Sequence, residues 1–452
     1  MVVAFKISPL GSTLKKGHMD VADQCLLRVH FHADSSFFSG AERMMPLIWN
    51  SSIADKYLKM SLSYRATESF TSELEGFVPS ILTLVPLSLP TPFGRKQVDP
   101  NRGLKTQLSK LNNLLRAMGD VLLNYPRFVF CLVRIWRVLK SDVPDVVHLS
   151  NGGWPGAISV RAAAVASKLA GVNRTVFVVN NMAFGYREPQ RWLDYPIDRL
   201  VKSCVDVFVT ASEDAGLRLT DVLNLCPGSR VRIPNSFPLE PKIGAFPSSL
   251  SLKDRNSEDV IIGSVGLLTN RKGQIYLVSA FSRLILELPQ LRNKVKLWLV
   301  GEGEDRKKIE DLVSELDLGD RVQLFGQRAD YLEIMKRMSI YVQPSIGSED
   351  SPLATLEAMK LKLPVIGSSV GGIKEQIVDP ETGFLVPAAE VAALAEALRK
   401  LVVDPELRRS QGSLGYRRSV TDFSPDALVS NYLGLYAENM TFADGKVRPL
   451  ML

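Results

Sequence analysis

The stretch Tyr341-Val342-Gln343-Pro344-Ser345-Ile346-Gly347-Ser348-Glu349-Asp350-Ser351-Pro352-Leu353-Ala354-Thr355-Leu356-Glu357-Ala358-Met359-Lys360, running on through Pro364-Val365-Ile366 to Gly371-Gly372, decides the fold of this chain. A short apolar run, Ile340 to Val342, breaks at Pro344, which removes a backbone donor and so ends a buried strand. A polar loop carrying Glu349 follows. The segment from Leu353 through Glu357 to Lys360 reads as a helix, and Pro364-Val365-Ile366 as a second buried strand. Strand, polar loop, helix, strand is the repeating unit of an open parallel sheet. Polar groups at the C-terminal end of such a strand, beside a helix N-terminus, sit where these sheets bind ligands.

Seven residues separate Glu349 in the loop from Glu357 about a turn into the helix, so the two carboxylates reach opposite ends of one elongated ligand. Between them the backbone N–H groups of Asp350, Ser351, Leu353 and Ala354 lie at the helix start, where intrahelical partners are missing; Pro352 has no N–H. Two carboxylates flanking an anion-binding turn suit a molecule with hydroxyls at both ends and a diphosphate between, as in a nucleotide sugar. A lone pair of glutamates would more simply be solvated charges.

The same alternation extends in both directions. Upstream, Val260 to Gly266 is a buried strand closing on glycine, and Leu267 to Gly273 turns into a helix. Arg271 and Lys272 on that turn would meet a diphosphate held at the helix N-termini, although adjacent cations on a loop are commonplace. Val295 to Val300 is the next strand, running into the glycine turn Gly301-Glu302-Gly303-Glu304, and Arg321 to Gly326 a further one. Asp404 to Arg418 and Pro425 to Tyr436 read as helices.

In the first half, Cys25 to Phe31 is β-rich and leads into Ser39-Gly40-Ala41-Glu42-Arg43, which places Gly40 at a strand-to-helix turn where backbone approaches a ligand closely. Residues 81 to 90 form a strand interrupted by prolines. Asp145 to Ser150, Thr175 to Asn180, Val205 to Thr210 and Arg230 to Pro234 are strands as well. Strand–helix repeats at this spacing predict a doubly wound parallel sheet. His148 stands near one strand end, where a single histidine is usually structural.

At 452 residues the chain exceeds one core. The expected organisation is a disordered leader over 1–24, a first domain over 25–236, a polar linker over 237–259, a second domain over 260–422, and a helix and tail over 423–452, the helix returning to the first domain. Apolar and charged contents of 46% and 23% are ordinary for a globular chain. Four distant cysteines define neither a disulfide framework nor a zinc site and fit a reducing compartment. The N-terminal residues lack the apolar core of a signal peptide. No run approaches the ~18 apolar residues of a membrane span. The expected location is cytoplasmic, including the inner face of the membrane.

Charge is unevenly placed. Ten Lys and Arg residues between Arg95 and Lys140 face only Asp99 and Asp120, giving +8 against +7 for the whole chain. With Leu104, Leu108, Leu111, Leu115, Met118 and Leu122 at helical spacing and Arg127-Phe128-Val129-Phe130-Cys131-Leu132-Val133-Arg134-Ile135-Trp136 beyond, residues 103–140 read as a basic amphipathic helix. Such a helix packs on the core or contacts an anionic bilayer. Basic residues alternating with aliphatics argue against nucleic acid.

Glu349-Asp350-Ser351-Pro352-Leu353-Ala354-Thr355-Leu356-Glu357-Ala358-Met359 with Pro364-Val365-Ile366 and Gly371-Gly372 closely resembles the glutamate-x7-glutamate signature of the family 4 retaining glycosyltransferases, glycosyl transferases group 1. Glu375 and Asp379-Pro380-Glu381-Thr382-Gly383-Phe384-Leu385-Val386-Pro387 are similar to that family too, and the resemblance covers most of the chain, more weakly in the N-terminal half. It implies an α/β fold of the GT-B type, two Rossmann-like doubly wound domains facing a central cleft. The implied activity is transfer of a sugar, with retention, from a nucleotide-diphosphate sugar to a glycan or lipid-linked acceptor, without a metal or other cofactor.

Carried over residue by residue, Glu349 would contact the donor sugar, Glu357 the ribose, and the Asp350 to Ala354 backbone the diphosphate. Gly40 would face the phosphates, with Ser39 standing where the family has another glycine. Lys272-Gly273 fits the family's Lys-Gly, Leu267 occupies its arginine position, and Arg271, next to the lysine, is expected to compensate. Gly266, Gly301 and Gly303 would line the donor site, the last two by the nucleoside. His148 resembles a histidine that contacts the reacting sugar; Ser150 replaces the second histidine of the family's His-x-His, and Asn180 and Asn181 stand where many relatives have histidine. These three would contact acceptor or donor sugar. The departures at Leu267 and Ser150 favour an alternative, a catalytically degenerate scaffold subunit, and a sugar-nucleotide epimerase of the same architecture is a third option.

Overall fold

The computed structural model describes residues 26–35, 40–79, 81–90, 123–187, 189–237, 259–347 and 349–438. The expected leader, residues 103–122 of the basic helix, linker residues 238–258, Ser39 and the tail from 439 lie outside them.

The first sheet contains β1 (Leu27–Ala33), β2 (Leu58–Arg65), β3 (Thr83–Leu87), β4 (Val146–Asn151), β5 (Arg174–Val179), β6 (Val207–Thr210) and β7 (Arg230–Arg232) in the order β3-β2-β1-β4-β5-β6-β7, every described pairing parallel. The second contains β8 (Val260–Val265), β9 (Val295–Val300), β10 (Val322–Leu324), β11 (Ile340–Gln343), β12 (Val365–Ser368) and β13 (Gly383–Val386) in the order β10-β9-β8-β11-β12-β13, again parallel. Strand order reverses between β1 and β4 in one sheet and between β8 and β11 in the other. Ligands bind at such switch points, beyond the C-terminal strand ends.

Apolar side chains leave each sheet on both faces, as parallel sheets require. Val146 and Val176 pack in one layer of the first domain, and Val147, Leu149 and Phe177 in the opposite one. The second domain repeats this with Ile262, Leu297, Val342 and Ile366 on one side and Ile261, Trp298, Tyr341 and Val365 on the other. Side-chain caps start several helices: Ser212 accepts from the N–H of Ala215, and Ser424 from that of Ala427, ahead of Pro425 in the first turn.

β2 and helix Glu68–Glu75 were not expected from the sequence. The alternating Ser61, Ser63 and Arg65 of β2 are buried, because β1, Asp34 just after it and Asp142 supply partners. His30 shares protons with Ser61 (2.9 Å), Ser63 (2.8 Å) and Asp142 (2.7 Å). Ser63 also meets Nδ1 of His32 (2.8 Å), and Arg65 forks onto Asp34. Burial lowers His32 to about 4, so the ring is neutral at physiological pH.

Helix Pro425–Ala437, the last described element, lies on the first sheet. Leu428, Val429, Tyr432, Leu433 and Tyr436 are buried in one cluster with Phe31, Trp49 and Leu62. Five such side chains contribute roughly 1.5–3 kcal/mol each when removed from water. Helix Asn124–Asp142 turns Phe128, Cys131, Ile135 and Leu139 inward and leaves Val129, Phe130, Val133 and Trp136 exposed. No helix among the described residues is long and apolar enough to cross a membrane.

Candidate active site

The loops after β8 and β11 meet at the switch point of the second sheet. The carbonyl of Arg271 accepts from the N–H groups of Ile346 (2.9 Å) and Gly347 (3.2 Å), fastening one loop to the other. This contact delivers two cations to one carboxylate: Oε1 of Glu349 lies 2.5 Å from a guanidinium nitrogen of Arg271 and 2.8 Å from Nζ of Lys272. The hydroxyl of Ser345 donates to the same oxygen (3.1 Å). Behind it, Tyr341 donates to Gln343 (2.7 Å) and Gln343 to Ser345 (2.9 Å), so polar groups of the strand end fix the carboxylate's approach. Glu349 is 6% exposed.

Helix Leu353–Lys360 starts after Pro352, and no side chain caps its first N–H groups. These groups and the two cations form a positive rim suited to a diphosphate. Glu357, on the same helix, is also 6% exposed, and burial raises its pKa. The Tyr331 hydroxyl donates to its Oε1 at 2.6 Å, and burial together with that carboxylate pushes the phenol up. Arg43 of the first domain donates to the Tyr331 oxygen at 2.9 Å and stands 4.0 Å from Glu357. No local sequence signal marks Tyr331, which projects from a separate short helix, Tyr331–Met335.

Asp350, expected to serve the donor through its backbone, turns its side chain to the first domain. Its carboxylate accepts from the N–H of Ala211 (3.1 Å) and the hydroxyl of Ser212 (2.6 Å). Burial pushes this carboxyl up to about 7 despite those bonds. Glu375 docks beside it, accepting from the N–H groups of Glu213 (2.8 Å) and Asp214 (3.3 Å) and pairing with Arg232 (2.8 Å). Two carboxylates of the second domain thus meet the N-terminus of helix Glu213–Leu223 of the first, where the helix dipole favours negative charge. Ser351 accepts from Gln376 (3.0 Å) through its hydroxyl and from Asn235 (3.1 Å) through its carbonyl. Leu353 packs against the first domain's core and Ala354 against the second's.

Gly371 and Gly372 close the back of this loop. Gly371 has φ +51°, and a Cβ there would fall 1.9 Å from the Glu349 carbonyl oxygen; one on Gly372 would fall 1.6 Å from that of Asp350. Gly301 and Gly303 are small for a similar reason. They press on the backbone of Gly266 and Leu268, with gaps of 1.9 and 2.2 Å for a Cβ, so the crowding at these two glycines comes from the protein's own loop. Lys272 Cε lies 3.9 Å from a Cβ at Gly266, and none of the described residues comes within 4 Å of one at Gly40.

His148 is not brought to the cleft. It is 2% exposed, its Nδ1 bonds the Tyr436 hydroxyl (2.7 Å), and Phe31 and Tyr432 cover its ring. Burial lowers it to about 3, so it is neutral and sealed under the C-terminal helix, a packing residue where the resemblance implied a sugar contact. Ser150 and Asn180 meet at adjacent strand ends (3.2 Å), while Asn181 accepts from the N–H of Met182 (2.8 Å) in a local turn. Leu267, at the family's arginine position, is 61% exposed and contributes no charge. No group of three or more His, Cys, Asp or Glu side chains stands at metal-binding range among the described residues.

The family model for glycosyl transferases group 1 matches residues 252–418. N-acetyl-alpha-D-glucosaminyl L-malate synthase of Bacillus anthracis is 31% identical over 159 residues, covering 35% of this chain and 40% of the synthase. The UDP-Gal:alpha-D-GlcNAc-diphosphoundecaprenol alpha-1,3-galactosyltransferase of Escherichia coli is 26% identical over 287 residues, 61% of this chain and 71% of that enzyme. The chain spans about half or less of the first curated relatives' own length, 40%, 22% and 52%. Among solved structures, Anabaena Alr3699/HepE in complex with UDP and glucose superposes with a TM-score of 0.65 at 16% identity, over 91% of this chain and 100% of that one. The chain has the GT-B fold, and its second domain carries the group 1 match.

Proposed function

We propose that the protein is a retaining, metal-independent glycosyltransferase that moves a sugar from a nucleotide-diphosphate donor to a glycan or lipid-linked acceptor. The observation that carries this reading is Glu349 between Arg271 and Lys272 at the β8/β11 switch point, with Glu357 eight positions further on. Without donor the two cations neutralise Glu349. An entering diphosphate competes for them, and its charge exceeds that of one carboxylate. Arg271, Lys272 and the uncapped N–H groups of helix Leu353–Lys360 then hold the diphosphate, and Glu349 is released toward the sugar hydroxyls.

In the reaction the bond from the anomeric carbon to the diphosphate oxygen breaks, and a bond from that carbon to an acceptor hydroxyl forms on the same face. Negative charge develops on the leaving diphosphate. Prepared donors aimed at such charge are worth about 10²–10³ in rate per group. Relatives named as an undecaprenol-linked galactosyltransferase and a capsular polysaccharide biosynthesis glycosyltransferase support a lipid-linked or glycan acceptor. Exposed Val129, Phe130, Val133 and Trp136 beside Arg127, Arg134, Arg137 and Lys140 support contact with an anionic membrane face at the cytoplasmic side.

Thermal unfolding across a panel of nucleoside diphosphates and nucleotide sugars, followed by transfer assays with the donor that stabilises, tests the proposal. Lys272→Ala is expected to lower kcat/KM about 100-fold. Wild-type turnover in that variant removes Lys272 from the machinery. Product of inverted anomeric configuration refutes retention. The exposed Leu267 and the sealed His148 favour one alternative, a degenerate scaffold subunit, and detectable transfer by the pure protein eliminates it.

A further inference from the structure

The Glu357 carboxylate is asymmetric. One oxygen receives the Tyr331 hydroxyl proton at 2.6 Å, while Oε2 has no protein partner among the described residues. The Tyr331 oxygen in turn accepts from Arg43, which crosses from the first domain. Tyr331 has a single proton, so the Arg43 bond fixes its direction: the guanidinium donates to the phenol oxygen, and the phenol donates to the carboxylate. A carboxylate that captures a vicinal diol must be acceptor-only and correctly turned. Burial opposes the first requirement, and a free side chain would not meet the second. A hydrogen bond from a neutral phenol backed by a cation serves both, and hydrogen bonds in such a chain polarise one another.

We infer that Tyr331 and Arg43 are positioning residues for nucleoside recognition, holding Glu357 so that its open oxygen discriminates a ribose diol from a deoxyribose. The inference rests on reading Glu357 as the ribose carboxylate. Because Arg43 belongs to the short 3-10 helix Gly40–Met44 that follows β1, the first domain takes part in selecting a nucleoside seated on the second. Nucleotide selection and docking of the two domains are therefore coupled through one phenol.

The test measures dissociation constants of uridine, guanosine and adenosine diphosphates and their 2′-deoxy counterparts by calorimetry. The proteins are wild type, Tyr331→Phe, Arg43→Gln, Arg43→Lys and Glu357→Ala. For the base that binds wild type, Tyr331→Phe is expected to weaken the ribonucleotide about tenfold and the deoxynucleotide much less, because a lost bond to a charged group acts only where that group is used. Arg43→Gln should narrow the ribose-to-deoxyribose ratio in the same direction, and Arg43→Lys should restore part of it. In transfer assays the change should appear in KM for the donor and leave kcat nearly unaltered. A ratio that collapses in Glu357→Ala but keeps its wild-type value in both Tyr331→Phe and Arg43→Gln overturns the inference alone. A ratio unchanged in Glu357→Ala, or no diphosphate binding to wild type, overturns the reading beneath it as well. Arg43 is only partly buried, so Arg43→Gln keeps the test decisive if Tyr331→Phe loses stability.

Discussion

Replacing Asp350 by asparagine should change the pH dependence of stability in a calculable way. The Asp350 carboxyl is buried between the domains, and its pKa rises from 3.8 to about 7 on folding, with desolvation outweighing the hydrogen bonds from Ala211 and Ser212. A raised acid pKa means that the folded protein holds a proton the unfolded chain has released. The stabilisation is complete below pH 3.8 and falls as pH rises toward 7. A shift of about three units at ~1.4 kcal/mol each makes the full loss about 4 kcal/mol, of which about 2 kcal/mol falls between pH 5 and 7.

Asparagine fits the same place without a charge: its carbonyl accepts from the Ala211 N–H and its amide donates to the Ser212 oxygen. Denaturant unfolding of wild type and Asp350→Asn from pH 5 to 8 gives the difference directly, and contributions common to both proteins, such as those of His32 and His148, cancel. Wild-type stability relative to the variant should decline by about 2 kcal/mol from pH 5 to 7 and level off above. A difference independent of pH, or one that grows with pH, refutes the assignment of a buried, proton-holding carboxyl to this interface.

Gly372→Ala should destabilise by about 3 kcal/mol or more, since its methyl would meet the backbone of Asp350 and the Ser212 side chain. Gly434→Ala, on the exposed face of helix Pro425–Ala437 with no described residue within 4 Å, should be neutral or stabilising by up to ~1 kcal/mol; equal unfolding midpoints for the two variants would contradict the packing described. Tyr436→Phe keeps the ring but strands Nδ1 of buried His148, for an expected loss of about 1–3 kcal/mol in denaturant unfolding. Cosedimentation with anionic vesicles should fall about tenfold in a Phe130→Ser, Trp136→Ser double variant, and an absence of wild-type binding would dismiss the membrane contact.

The strand–loop–helix–strand around Glu349 was legible because its signals are local. An apolar run is cut by Pro344, a helix spans Leu353 to Lys360, and Val365 and Ile366 make a second apolar run. β2 was not legible, since Ser61, Ser63 and Arg65 look like a solvated segment until His30 and His32 of β1 and Asp34 just after it are placed beside them. The position of His148 depended on a helix almost 300 residues later in the chain, and that of Asp350 on a serine in the other domain. Tyr331 failed to stand out for the same reason. Its role follows from where Arg43 and Glu357 stand in space, and local periodicity carries no record of that.

The seating of helix Pro425–Ala437 on the first sheet has a consequence for biosynthesis. The first domain is discontinuous: its opening strand emerges early from the ribosome, but the surface over Phe31 and His148 stays uncovered until residue 436 has been made. At ~5–20 residues per second, the wait between Phe31 and that helix is on the order of 20–80 s. The second domain has its own core and all its strands in one continuous stretch, so it can finish folding before the first. A nascent chain should therefore carry an open first sheet tethered to a folded second domain until helix Pro425–Ala437 is made and covers it.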